Sequence, residues 1–261
     1  MILTPDRIVF AAAFALLNAA WLGAQADSRT SLPASRPAAS RPVVEDEAVR
    51  ELRKLADLGD ATAMYNLGLQ YANGQGVPQD YAEAARWYRK AADLGEAAAM
   101  YNLGLQYVKG QGVPQDDAEA ARWFRKVADL GSAIAMTHLG FMCENGQGVP
   151  QDYAEAVRWY RKAADHGSAR AMLNLGLMSG NGIGLPKNDA EAARWFRKAA
   201  DLGEARAMHN LGVHFANGQG VPQDDAEAAR WYRKAADLGE AVAMYNLARQ
   251  YATGRGVPQD Y

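Results

Sequence analysis

From Asp46 onward two helical patterns of apolar and polar positions alternate along the chain. In the first, residues such as Ala63, Met64, Leu67 and Gly68 fall on one face when successive residues are placed ~100° apart. In the second, Ala120, Trp123, Phe124, Val127 and Ala128 form the apolar face and charged residues fill the gaps. In one such unit the spacing predicts helix A over residues 96–109. Gly110-Gln111-Gly112-Val113-Pro114 then breaks it, because two glycines and a proline cannot extend a helix cheaply. Helix B starts at Asp116, an N-cap with Glu119 three residues on, the spacing of a capping box. The pairs Asp80/Glu83, Asp152/Glu155, Asn188/Glu191 and Asp224/Glu227 repeat it. Gly131 closes helix B where a left-handed backbone is needed. A new helix A follows within a residue or two, so successive helices must pack antiparallel.

The period of this alternation is constant. Trp87, Trp123, Trp159, Trp195 and Trp231 are each 36 residues apart, and Pro78, Pro114, Pro150, Pro186, Pro222 and Pro258 keep the same interval. No insertion interrupts them, so every unit presents the same stacking surface. That predicts an all-α fold, an α-solenoid of antiparallel helix pairs and not a set of globular domains.

The N-terminal segment has a different pattern. An apolar run over residues 8–22, broken only by Asn18, follows Arg7 and leads to Ala24-Gln25-Ala26. This order predicts a signal peptide over residues 1–26; the alternative is an uncleaved anchor, for which ~15 apolar residues are short. Residues 27–45, with Ser-Arg-Pro at Ser35 and again at Ser40, lack an apolar period and predict a disordered linker. The solenoid then occupies residues 46–261: an N-terminal capping helix in which Glu51 and Leu52 replace the Trp-Tyr pair, five full repeats, and a final unpaired helix A. Helix B of that last unit would begin where the sequence stops. The expectation is therefore either truncation or self-association through the C-terminal helix. The chain is expected to be exported, periplasmic or extracellular, with no stable membrane insertion after cleavage.

Composition narrows the chemistry. There are 28 Lys and Arg against 30 Asp and Glu, a net charge of −2, which argues against a nucleic-acid partner held by bulk positive charge. Cys143 is the lone cysteine, so neither an intramolecular disulfide nor a cysteine-rich zinc site holds the fold. His138 and Cys143 lie five residues apart on one helix, as do His209 and His214, a spacing that aims the two side chains apart. Gly-x-Gly recurs between helices with no strand before it, unlike a dinucleotide site. The methionine of each unit, from Met64 to Met244, lies on the core face, where packing explains it better than copper binding. Arg86, Arg89 and Lys90 and their equivalents suggest a solvated, mixed-charge face of helix B. No enzyme activity, cofactor or metal is expected.

The unit motifs carry a resemblance. Ala-Met-Tyr-Asn-Leu-Gly-Leu-Gln-Tyr from Ala99, then Gly-x-Gly-Val-Pro-x-Asp from Gly110, then Ala-x-x-Trp-Phe-x-Lys-Val-Ala from Ala120 resemble the Sel1-like repeat family, a relative of the tetratricopeptide repeat. The resemblance implies a right-handed superhelix that serves as a protein-binding scaffold, commonly secreted or periplasmic in bacteria. Rival readings are a secreted effector of the same fold, a self-assembling structural protein and a β-lactamase-like hydrolase; the hydrolase relatives are rich in disulfides, which this chain lacks.

Comparing the units with one another separates fixed positions from variable ones. On helix A the variable positions are Thr62/Ala98/Ile134/Arg170/Arg206/Val242, Tyr65/Tyr101/Thr137/Leu173/His209/Tyr245 and Leu69/Leu105/Phe141/Leu177/Val213/Arg249. They lie opposite the core face, where tetratricopeptide relatives line a concave groove. Arg170 and Arg206 are equivalent residues of the fourth and fifth units, with Asn174 and Asn210 one turn further on. This constellation predicts capture of an acidic or C-terminal carboxylate segment of a protein or peptide partner, flanked by Leu173, Leu177, His209 and Val213.

Overall fold

The computed structural model describes residues 46–258, and the predicted signal peptide and linker lie outside them. The first helix, α1 (Glu47–Asp57), is B-type. Five A–B pairs follow: α2 (Ala61–Asn73) with α3 (Tyr81–Asp93), α4 (Ala97–Lys109) with α5 (Asp117–Asp129), α6 (Ala133–Asn145) with α7 (Tyr153–Asp165), α8 (Ala169–Asn181) with α9 (Asp189–Asp201), and α10 (Ala205–Asn217) with α11 (Asp225–Asp237). The last helix, α12 (Ala241–Thr253), is A-type. Each helix packs on the helices before and after it in sequence, which makes the array a right-handed α-solenoid as predicted.

The core is one continuous stripe. Each internal A helix contributes a buried Ala, Met, Leu and Gly, as in Ala99, Met100, Leu103 and Gly104. Each B helix of the five pairs contributes alanines and an aromatic ring, with Tyr160 and Phe124 among the largest side chains that are fully buried. The glycine of helix A is the seat for that ring. A Cβ on Gly104 would stand 2.8 Å from a ring carbon of Phe124, so no larger residue fits without moving the helices apart.

The loops bind one unit to the previous one. Gly112 has φ of +72°, and a Cβ there would run into the backbone of Tyr81 at the start of the preceding B helix. The turn thus closes onto its neighbour through backbone alone. The capping boxes form only by half. Asp116, Asp152, Asn188 and Asp224 each accept from the backbone N–H of the glutamate three residues on. The glutamates do not reach back, because the N–H of each cap residue already donates to a carbonyl of helix A, such as Asp116 to Tyr107 at 3.1 Å. Glu83, Glu119, Glu155 and Glu227 pair instead with an arginine three residues on.

The outer face of the B helices is more ordered than a solvated charge face. Lys90, Lys126, Lys162, Lys198 and Lys234 lie over the tryptophan of their own helix at 3.9 to 4.5 Å. Arginines of one B helix lie over the tryptophan of the next, as Arg89 over Trp123 at 5.9 Å. Trp87, Trp123, Trp159 and Trp231 thus each meet two cations, an arrangement that favours both partners, whereas Arg161 pairs with Glu191 and leaves Trp195 to Lys198. Met64, Met100, Met136, Met172 and Met208 are buried in the core, as their position predicts, whereas Met244 of α12, over which no B helix lies among the described residues, is 46% exposed.

Candidate functional site

The stripe of helix A opposite the core is where the units differ, and the asparagine beside it is held by a simple rule. Asn102 hydrogen-bonds the hydroxyl of Tyr88, and Asn174 that of Tyr160, each ring coming from the preceding B helix. These amides hold the core together and are not free to bind. Where the ring is Phe124, without a hydroxyl, the next A helix carries His138, which stacks on it with centroids 5.0 Å apart and hydrogen-bonds Tyr101 at 3.0 Å. Where the ring is Phe196, the next A helix carries Asn210. Its half-buried amide has no hydrogen-bond partner among the described residues.

Beside Asn210 stand the two arginines. Arg170 on α8 is exposed and Arg206 on α10 is half-buried. Burial first, and the charge of Arg170 second, lower the Arg206 pKa, while Glu204 and Glu240 oppose the shift. No carboxylate among the described residues comes within ion-pair distance of either guanidinium. The surface thus holds two arginines without an ion-pair partner and one amide without a hydrogen-bond partner among the described residues.

The two flanking imidazoles stay neutral. Burial and the charge of Arg206 push His209 down to about 4, and burial and Arg170 do the same to His138. His209 Nε2 accepts from Asn246 at 2.9 Å, so His209 is committed to the next helix. Leu177 and Val213 are half-buried and can touch a ligand. Leu173 cannot. It is 0% exposed, its aliphatic side chain packed into the buried hydrophobic cluster, and it is removed from the set that flanks the arginines.

The alternative chemistries lack their geometry. Burial is the main cause that raises the Cys143 thiol, with Glu155 next, whereas a nucleophilic cysteine needs a lowered pKa. His138 lies against Phe124 and not beside the thiol. Among the described residues, no helix is long and apolar enough to cross a membrane.

The fold and this surface define a helix-pair repeat protein. Sel1 repeats match residues 61–96, 97–132, 133–168, 169–204, 205–240 and 241–261, and the chain belongs to the Sel1 repeat family. Among solved structures, it is similar to a protective antigen of uropathogenic Escherichia coli that displays an SLR fold, at 38% identity and a TM-score of 0.79 over 82% of this chain. That match takes in 46% of the antigen, so the chain spans less than half its length. It is also similar to a Sel1 repeat protein of Oxalobacter formigenes, at 37% identity and a TM-score of 0.72, covering 81% of this chain and 94% of that one. No curated protein matches the sequence. Sel1 repeat proteins commonly mediate protein–protein interaction, and the family is generally a non-catalytic scaffold.

Proposed function

We propose that this protein is an exported, non-catalytic scaffold that captures an acidic or C-terminal segment of a protein partner on the A-helix groove of its fourth and fifth units. The observation that carries the reading is the pair Arg170 and Arg206: the charge of Arg170 lowers the Arg206 pKa, Glu204 and Glu240 offset that shift only in part, and no carboxylate among the described residues lies within ion-pair distance of either guanidinium. Holding two like charges together costs free energy, and an incoming carboxylate offsets that cost while accepting from both forks. Asn210 adds a free amide, and Leu177 and Val213 add apolar contact. The apolar run and Ala24-Gln25-Ala26 support export, and the likeness to a protein described as a protective antigen agrees with it.

The test is binding of labelled peptides with a free or an amidated C-terminus, and with acidic or neutral side chains. The acidic and free-carboxylate peptides should bind best, more weakly as salt rises. Arg170→Ala with Arg206→Ala should weaken that binding at least tenfold, about 1.4 kcal/mol, and leave Tm nearly unchanged. Unaltered binding by the double variant would place the site elsewhere on the solenoid.

A further inference from the structure

The first and last described helices depart from those between them in ways that fit each other. Inside the array every A helix seats the ring of its B helix on a glycine: Gly68 under Tyr88, Gly104 under Phe124, Gly140 under Tyr160, Gly176 under Phe196 and Gly212 under Tyr232. A Cβ at these glycines would stand 2.5 to 2.8 Å from a ring carbon, nearer than packed atoms allow. At the matching position of α12 the residue is Ala248, and it is exposed. A B helix lying on α12 as the inner ones lie on theirs cannot bring an aromatic ring to that point. Among the described B helices, α1 alone has no ring there; it carries Leu52.

Charge gives a second, independent match. Arg53, Arg89, Arg125 and Arg197 each lie over the tryptophan of the next B helix, at 5.1 to 5.9 Å. Arg233 of α11 has the same register, with no described B helix beyond it. In α1 the residue at the tryptophan position is Glu51, whose carboxylate is exposed and paired with Lys54. A guanidinium that would find a ring inside the array would find a carboxylate at its end.

We propose that α1 of a second copy docks on α12, so that copies join head to tail and continue the solenoid. Leu52 of one protomer then sits on Ala248 of its partner, Glu51 faces Arg233, and Met244 gains the cover its buried counterparts have. The surface differs from the arginine site, so the two proposals stand or fall separately. The contact is heterologous and does not close on itself, so it builds a series of oligomers and not a symmetric dimer.

Sedimentation velocity of the full chain from about 1 to about 100 µM, where contacts of modest size associate, tests this. The weight-average sedimentation coefficient should rise with concentration and pass the value of a dimer. Leu52→Tyr should weaken association at least about tenfold by collision with Ala248, and adding Ala248→Gly should restore it by recreating the inner seat. Glu51→Arg and Arg233→Glu should each weaken association alone and recover it when combined. Circular dichroism melts establish that every variant is folded, and the charge pair carries the test if Leu52→Tyr is not. A monomer at all concentrations, including one whose α12 is covered by a helix of its own chain, overturns the proposal. So does association indifferent to both pairs of changes.

Discussion

In three units the ring and the residue facing it are matched. Tyr88 and Tyr160 meet Asn102 and Asn174, whose amides hydrogen-bond the ring hydroxyl, and the Tyr160 hydroxyl also donates to Glu144 at 2.7 Å. Phe124 meets His138, whose imidazole stacks on the ring instead. A buried hydroxyl without a partner costs roughly 1–3 kcal/mol, and an amide facing a bare ring loses its hydrogen bond. Each single swap should therefore destabilise and the paired swap should recover. Urea denaturation of Phe124→Tyr, His138→Asn and the combination should give a favourable coupling of about 1 kcal/mol. Additive losses would mean that the two side chains act independently. Asn210 departs from this matching: its ring is Phe196, and its half-buried amide has no hydrogen-bond partner among the described residues.

The B helices of the five pairs are held at their starts by side chains, and the A helices end on a left-handed glycine. Helix B begins at an N-cap carboxylate or amide, whose own N–H is taken by the carbonyl of the previous A helix, so cap and loop are fastened in one step. The glutamate of the predicted box is left with the helix surface. In the third unit, Asp152→Ala should cost about 1 kcal/mol. Glu155→Ala should cost no more than about 0.5 kcal/mol, because its partner Arg158 is a solvated neighbour on the same helix. Chemical denaturation of the two variants checks this. An equal loss from both would mean that the reciprocal half of the box forms in solution.

Across the whole array, stability passes between neighbours and nowhere else, since each helix packs on the ones adjacent in sequence. A defect in the middle should therefore do more than weaken one unit. Trp159 is buried and lies between Arg125 and Lys162. Trp159→Ala should cost ~3–5 kcal/mol. It should also broaden the unfolding transition, because the units on either side lose the contact that couples them. Denaturation followed by fluorescence of the remaining tryptophans and by circular dichroism would show the two signals separating. A single sharp transition shared by both probes would mean that coupling reaches past the damaged unit.

The sequence by itself determined the helix pairs, the period, the core face and the family. Those features are written in local spacing: the glycines and proline that stop helix A, the N-cap that starts helix B, and the apolar positions repeating at the helical period. Arg170 and Arg206 could also be named from the sequence, because equivalent residues of identical units must stack. Whether those arginines had carboxylate partners could not be read off the chain, since a guanidinium reaches several turns and neighbouring helices. Tertiary packing decided that, and it also took Leu173 out of the surface and committed Asn174 to Tyr160. It turned the expected charge face of helix B into cations stacked on tryptophan. These outcomes depend on which residue of another helix lies within a few ångströms, and a pattern read along one strand of sequence holds no information about that until the helices are packed.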